Sequence, residues 1–227
     1  MWACRHGQHD MAEYLIKNGA QIRAKDMYGQ EPIKHACFGG NERLIRLFLS
    51  RGIDVDLRDR DGDTNFSEAT AQGRTSAVRL LLLKKASVNC VGIHQWTLMR
   101  ACRDSQKEHE EVGRMLLNHG ADWCLVDENG WRALNHACAS GNDELASAIL
   151  RKALRSQRAS GRTDIDALNS PDNDGDTAVA HAALEGHHST VLWLLSNNAL
   201  VDQANRHGCT PLMGLSRRPH PGGRTPP

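Results

Sequence analysis

Histidine and cysteine are the residues of this chain best suited to chemistry, because they act as metal ligands, nucleophiles and proton carriers. The 227 residues include 12 histidines and 7 cysteines. No two cysteines form a Cys-x-x-Cys pair, although closely spaced pairs are typical of structural zinc sites and disulfide frameworks. We therefore expect reduced thiols and an intracellular protein, cytoplasmic or nuclear, that holds no metal.

The positions of these residues favour packing over catalysis. Three histidines, His35, His136 and His181, share one position of a sequence repeat described below, and only the last two fall in consecutive copies. A zinc ion needs three or four converging ligands, and we find no third ligand in register. We predict surface or groove histidines, with a pH-sensitive contact as the alternative. Four cysteines share the small-residue position of the same repeat and are predicted to pack: Cys4, Cys37, Cys102 and Cys138.

Two acidic strings resemble calcium-binding loops at first sight. A calcium loop needs Gly at its sixth position and Glu at its twelfth, but a loop starting at Asp172 would have Ala183 at the twelfth position. Asp and Gly also favour turns, so we predict turns. The two strings are Asp54, Asp56, Asp59, Asp61 and Asp63, then Asp172, Asp174 and Asp176.

The chain has no Gly-x-Ser-x-Gly motif, phosphate loop or dinucleotide fingerprint, which predicts a non-enzyme without a cofactor.

Charge and hydropathy exclude two further classes of protein. The 28 Lys and Arg residues nearly balance 27 Asp and Glu residues, so no global field draws the chain to nucleic acid or to an anionic membrane. No apolar run approaches the roughly 18 to 20 residues that cross a bilayer. The N-terminus also lacks the basic and apolar segments of a secretory signal.

The elements that must position these side chains follow from an internal repeat. One apolar position recurs at steps of 33, 32, 36, 45 and 33 residues, in Ile33, Phe66, Leu98, Leu134, Val179 and Leu212. Further apolar residues recur four, five, eight and nine positions after Gly7, Gly40, Gly73 and Gly186, which is one face of a helix. Gly19 and Gly52 then end the helix. Each copy is predicted to form a helix, a turn, a second helix and an extended turn, with Thr-Pro starting the first helix.

These features resemble the ankyrin repeat family, whose unit of about 33 residues carries a Thr-Pro-Leu-His-x-Ala signature. The best matches are Thr210-Pro211-Leu212, Leu44-Ile45 and Gly52-Ile53-Asp54-Val55. The resemblance implies an all-α ankyrin-repeat solenoid of paired antiparallel helices with projecting β-turns. About five full and two partial repeats would cover residues 1–215, near 1–25, 26–58, 59–90, 91–126, 127–171, 172–204 and 205–215, before a flexible tail at 216–227.

The chain departs from the family pattern in several places. The replacement of the signature His predicts a less regular and less stable stack. The residues at its position are Lys34, Ser67, Met99, Asn135, Ala180 and Met213. The chain starts inside a first helix and stops inside a seventh copy, so we expect a fragment of a longer protein. Insertions fall at 103–108 and at 151–165. The second is either a solvated loop or an extension of the second helix with a basic edge, formed by Arg151, Lys152, Arg155, Arg158 and Arg162.

The resemblance also implies where a partner binds, because ankyrin turns and first helices form a concave surface. Tyr28 and Trp131 are aromatics on turns and are the strongest hot-spot candidates, with packing of Trp131 over its neighbour as the alternative. Trp123 and Trp193 are predicted to be structural. The predicted surface comprises Met27, Tyr28, Gln30, Phe38, Arg60, Asp61, Asp63, Gln72, Gln95, Arg103, Glu128, Asn129, Trp131, Asn173, Asp174, Asp176, Leu184, Arg206 and His207.

The function expected from the sequence is therefore that of a non-catalytic, monomeric scaffold for protein–protein interaction. The alternative is a targeting or regulatory arm of an enzyme or channel, whose other domain lies outside this sequence. A fold alone does not choose between these functions.

Overall fold

The computed structural model describes residues 1–91, 96–160 and 167–214, with side chains described except at 157–160. These residues form α-helices and no named strand; two isolated β-bridges join Arg58 to Thr64 and Val91 to Trp96. The predicted all-α class is confirmed. The helices are α1 Trp2–Arg5, α2 His9–Lys17, α3 Pro32–Gly39, α4 Glu42–Ser50, α5 Asn65–Ala71, α6 Thr75–Leu83, α7 Thr97–Cys102, α8 Lys107–Asn118, α9 Ala133–Ala139, α10 Asp143–Ser160, α11 Ala178–Glu185, α12 His188–Ser196 and α13 Pro211–Gly214.

The helices fall into two compact units. The first unit contains residues 1–101 and 106–122, and the second contains residues 102–105 and those from 123 onward. In the first unit α1, α3 and α5 pack in sequence, and so do α2, α4, α6 and α8. In the second unit α9 packs on α11 and α11 on α13, while α10 packs on α12. Each unit is thus a stretch of solenoid in which neighbouring helix pairs cover one another's apolar side chains.

The predicted apolar positions form the core. In α4 the side chains of Leu44 and Ile45 are both 0% exposed, because helix pairs pack on either side. Burying such a side chain contributes roughly 1.5 to 3 kcal/mol. The matching residue of α2, Met11, is 52% exposed, since no described helix pair precedes α2. Ala12, which matches Ile45, is 3% exposed, so the two positions differ in how far a helix with no described pair before it can bury them.

The predicted helix ends are confirmed. Thr64 caps α5 by accepting a hydrogen bond from the Ser67 N–H, while the Ser67 hydroxyl accepts one from the Thr64 N–H. Gly52 ends α4 with a φ of 78°, a conformation that costs glycine little. The same position is Lys85 after α6 and Asn198 after α12, with φ values of 63° and 67°. The turn is therefore kept even where the sequence offers no glycine.

The insertions have different structures. Residues 103–106 form a short connection between α7 and α8. Helix α10 has 18 residues, whereas α2, α4, α6 and α12 have 9 each. The first part of the second insertion is thus helical, in agreement with the helix-extension interpretation. Gln95, Arg162 and the tail at 216–227 lie outside the described residues, as does the side chain of Arg158.

Candidate functional site

Five of the turns between repeats in the described segments are each held by one acidic or amide side chain. The Asp26 carboxylate oxygen Oδ1 accepts hydrogen bonds from the backbone N–H groups of Tyr28 and Gln30, both at 2.9 Å. The prediction that the aspartate strings form turns is confirmed, since Asp59, Asp127, Asp172 and Asn205 repeat the same pair of bonds. We call the two residues after each of these side chains a turn tip; the tips are 27–28, 60–61, 128–129, 173–174 and 206–207.

In the first unit, neighbouring tips are also joined to each other. The Arg60 backbone N–H donates to the Tyr28 carbonyl oxygen at 3.3 Å, and the Arg60 guanidinium donates to the Met27 carbonyl oxygen at 2.7 Å. The side chains of Met27 and Tyr28 take no part in these bonds. They stay 75% and 56% exposed, so this pair of tips presents them from a fixed backbone.

The second unit repeats this arrangement. The Asn173 backbone N–H donates to the Asn129 carbonyl oxygen at 3.0 Å, and the Asn173 side-chain amide donates to the Glu128 carbonyl oxygen at 2.9 Å. The Arg206 N–H donates to the Asp174 carbonyl oxygen at 2.8 Å. A surface with a pre-ordered backbone loses less conformational entropy on binding than a mobile loop does.

Two buried histidines contact the carboxylates of the turn aspartates. Nε2 of His136 lies 2.9 Å from Oδ2 of Asp127, and Nε2 of His181 lies 2.9 Å from Oδ2 of Asp172. These two histidines are only 8% and 6% exposed, so the prediction of surface or groove histidines is wrong for them. Their position, one residue after the family's signature His, aims the ring at the turn carboxylate.

The histidines also bear on the expectation drawn from the missing signature His. A histidine at the neighbouring position supplies the turn with a hydrogen bond in three repeats, including that of His35, whose Nε2 lies 3.1 Å from Oδ2 of Asp26. The lower stability predicted from the missing signature His stays a prediction. Burial lowers the pKa of His136 and of His181, and hydrogen bonding to their aspartates offsets this only partly. Both rings are therefore neutral at pH 7 and donate from Nε2.

The turn at Asp59 is supported differently, by charge. Glu68 occupies the histidine position there, and Oδ2 of Asp59 instead accepts from Nζ of Lys34 in the preceding repeat, at 2.8 Å. The side chains of this pair are 5% and 3% exposed. Because a buried carboxylate needs a partner, Lys34 takes over the role that histidine plays elsewhere.

Asp63 belongs to the same charged region. It is 7% exposed and pairs with Arg100, whose Nη2 lies 2.9 Å from Oδ1 of Asp63. Asp63 therefore lacks the exposure that its prediction as a partner-binding residue assumed. The physical reason is that residue 63 follows the turn apex and points back toward the next repeat's first helix.

Trp131 packs against two histidine rings but remains partly exposed. Its ring centroid is 3.9 Å from that of His181 and 4.9 Å from that of His136, and the residue is half-buried. It thus folds partly over the neighbouring repeat, as the alternative interpretation held. Trp123 is 8% exposed and structural, while Trp193 in α12 is half-buried.

The remaining residues predicted to bind a partner are either half-buried or exposed. Phe38 is half-buried beneath the Arg5 guanidinium, which lies 4.0 Å from its ring centroid. Four others are half-buried: Gln30, Gln72, Asp176 and Leu184. Nine further polar or charged residues are exposed: Arg60, Asp61, Arg103, Glu128, Asn129, Asn173, Asp174, Arg206 and His207.

Sequence reasoning predicted turns at the strings that contain Asp59 and Asp172 but missed the equivalent turn supports Asp26, Asp127 and Asn205. Asp26, Asp127 and Asp172 each stand three residues before a glycine that has positive φ. This Asp-x-x-Gly spacing also holds at Asp59, with Asn205 as the variant. The repeated spacing was therefore a readable signal for the turn supports.

The described residues offer no evident reactive centre. Among them, no group of three or more His, Cys, Asp or Glu side chains is placed to hold a metal ion. Burial raises the pKa of the Cys37, Cys102 and Cys138 thiols, which disfavours the nucleophilic thiolate. Of the helices in the described segments, none combines the length and apolarity needed to cross a membrane.

Comparison with known proteins finds two family models that match this chain. A model described as ankyrin repeats (3 copies) matches residues 1–92, and one described as ankyrin repeats (many copies) matches residues 98–154. The human transient receptor potential cation channel subfamily A member 1 is 25% identical over 235 residues, covering 84% of this chain and 19% of the channel. The putative ankyrin repeat protein YahD of Escherichia coli is 28% identical over 152 residues, covering 65% of this chain and 76% of YahD.

A third relative is the ankyrin repeat domain-containing protein SAT10 of Stachybotrys chartarum. It is 29% identical over 126 residues, which cover 55% of this chain and 6% of that protein. The chain thus spans only a small part of two of these three relatives.

Proposed function

Because this chain belongs to the ankyrin repeat proteins, whose repeats generally mediate protein–protein interaction, we propose that it is a non-catalytic scaffold. Its partner is a protein, which contacts the turn tips and the exposed side of the first helices. The relatives' printed names supply no partner for this chain, so the proposal depends on its own surface.

The observation that carries the proposal is the exposure of large side chains on tips whose backbone is already fixed. Met27 and Tyr28 need no exposure for folding, since Asp26 and Arg60 hold their turn through backbone groups. Tyr is enriched among the residues that dominate binding energy. A fixed tip with an exposed tyrosine and methionine therefore favours a binding role.

Charge on the tips suggests the chemistry of the partner. The exposed charges on the described tips are three carboxylates, Asp61, Glu128 and Asp174, and two arginines, Arg60 and Arg206, so acidic groups outnumber basic ones by one. Opposite charges across an interface improve specificity and association rate. A protein segment with basic residues and an apolar anchor fits this combination.

Affinity purification followed by mass spectrometry tests the proposal. The variant M27A/Y28A removes both exposed tip side chains and leaves the turn hydrogen bonds intact. The matched control is L83A/L192A, which removes two side chains of 72% and 69% exposure on second helices. Proteins retained by the control and lost by M27A/Y28A support the tip surface. Equal recovery with both variants contradicts it.

A second candidate function is a targeting or regulatory arm of a channel or enzyme. The similarity to the human channel favours it, because 84% of this chain aligns within 19% of that protein. Sequencing the complete transcript separates the two functions. A membrane or catalytic domain in the same reading frame would support the arm, and its absence would support an independent scaffold.

We also place the protein in a reducing compartment, the cytoplasm or nucleus. No disulfide joins any of the seven cysteines, all of which lie in the described segments, and five of them are buried. Proteins of oxidising compartments more often pair their cysteines. Cell fractionation with thiol labelling tests this: recovery from the secretory pathway would contradict it.

A further inference from the structure

Helix α10 extends beyond the length that its repeat requires. It has 18 residues, twice the 9 of the equivalent helix α12. The buried side of its middle is apolar, since Ile149, Leu150 and Ala153 are at most 3% exposed. The extension therefore continues a helix that is firmly anchored in the second unit.

The opposite side of this helix carries a strip of exposed residues. A helix turns by about 100° per residue, so Arg151, Lys152, Leu154 and Arg155 share an arc that faces away from the buried residues. All four are exposed, and Leu154 is 45% exposed. We call these four residues the basic strip.

The cations of the basic strip have no acidic partner among the described residues. No described carboxylate lies within 4.0 Å of Arg151, Lys152 or Arg155. Arg151 donates only to the Ser147 carbonyl oxygen of its own helix. Within the described part of the chain, the strip is therefore a positive surface without a neighbouring carboxylate.

Second helices of the first unit show the contrasting arrangement. Arg43 pairs with Asp10 and Glu13, and Arg46 pairs with Glu42. Arg79 of α6 pairs with Glu111 of α8, at 3.1 Å. Exposed arginines on these helices are thus neutralised within the fold, whereas those of the basic strip are not.

We propose that the basic strip is a second docking surface, separate from the turn tips, for an acidic protein segment that carries an apolar side chain. The carboxylates of that segment pair with Arg151, Lys152 and Arg155, and its apolar side chain covers Leu154. Arginine favours such pairing because its guanidinium can bind a carboxylate through two parallel hydrogen bonds.

The composition of the strip favours a protein partner over single-stranded nucleic acid. It lacks the aromatic side chains on which single-stranded nucleic acids stack. The exposed leucine adds an apolar contact that an acidic peptide can match.

Fluorescence anisotropy with a labelled synthetic peptide tests the proposal on the full chain. The probe has aspartates and glutamates around one leucine, and its control has asparagines and glutamines instead. We expect the acidic probe to bind and the variant R151Q/K152Q/R155Q to weaken binding by about tenfold. The charge-conserving variant R151K/R155K keeps most of the affinity.

The matched control is R43Q/R46Q/R79Q, which removes the same charge from paired arginines and leaves binding unchanged. Equal loss in both triple variants, binding of the amide probe, or no binding of the acidic probe overturns the proposal. So does tighter, strip-dependent binding to phosphatidylserine vesicles or single-stranded RNA. The M27A/Y28A variant keeps the peptide affinity, so failure here is distinguishable from failure of the tip surface.

Discussion

Two kinds of turn in this protein stabilise a turn aspartate carboxylate through different partners. At residues 127–131 and 172–176, a neutral histidine supports the turn aspartate. At residues 59–63 the support is a buried lysine from the preceding repeat. Both satisfy the same carboxylate oxygen, but one relies on a hydrogen bond and the other on full charge. The repeat geometry thus tolerates different chemistry, provided that the buried carboxylate keeps a donor.

The largest expected loss of stability follows from a substitution that removes the lysine partner of Asp59, in the turn at residues 59–63. The substitution Lys34→Met leaves Asp59 and Glu68 without their cation, and loss of one partner from a buried ion pair costs about 3 kcal/mol or more. Urea unfolding followed by circular dichroism measures this loss in the free energy of unfolding. As a control, Arg46→Met breaks an exposed pair with Glu42 and changes stability by about 0.5 kcal/mol or less. Similar losses in both variants would contradict the structural role of Lys34.

A smaller effect is expected at a histidine-supported turn. His181→Gln removes the bond to Asp172 and the ring contact with Trp131, which together cost about 2 kcal/mol. The measurement is again urea unfolding. Changed Trp fluorescence should accompany the loss of stability. His35→Gln is the matched control, because His35 is only half-buried and has no such tryptophan. A larger loss at His35 would show that the ring contact and burial do not matter.

The two kinds of turn also predict different responses to pH. Burial lowers the pKa of His136 and His181 below the ordinary value of 6.5. The unfolded chain therefore binds more protons than the folded chain in this range, so stability is complete above about pH 6.5 and falls as the pH drops below it.

Urea midpoints at pH 7.5 and 5.5 check this pH prediction. The wild-type midpoint should fall at the lower pH, and the double variant H136Q/H181Q should show a smaller fall. An equal fall in the double variant would assign the pH response to other groups.

The smallest expected effect concerns the ends of second helices. Lys85→Gly relieves a left-handed backbone that costs a lysine about 1 to 2 kcal/mol, and after the entropy cost of glycine a gain of about 0.5 to 1 kcal/mol remains. Asn198→Gly, at the same position of another repeat, should change stability much less because asparagine tolerates this conformation. Thermal unfolding measures both variants, and destabilisation by Lys85→Gly would refute the strain.

Much of the fold could be predicted because the repeat places like residues at like positions. Leu44 and Ile45 were identifiable as core from helix spacing alone, and Gly52 as a helix end. The exposed tip at Met27 and Tyr28 was also predicted correctly as exposed. Its role in binding stays a prediction.

Other features depended on contacts between distant residues. The burial of Asp63 follows from Arg100, which stands 37 residues later, and the support of Asp59 follows from Lys34, 25 residues earlier. Spacing within one repeat contains no information about such pairs. They also explain why Asp61 is exposed while Asp63, two residues later in the same string, is buried.

By itself, the sequence determined the period, the helix pairs, their caps and the side of each helix that packs, since these follow from local propensity and regular apolar spacing. Tertiary structure alone decided which polar side chains are buried, how each described turn aspartate is satisfied, and that the strip at Arg151 to Arg155 meets no carboxylate among the described residues. The physical reason is that solvation and ion pairing depend on which groups meet in space, and a repeat brings together residues that are a full unit apart along the chain.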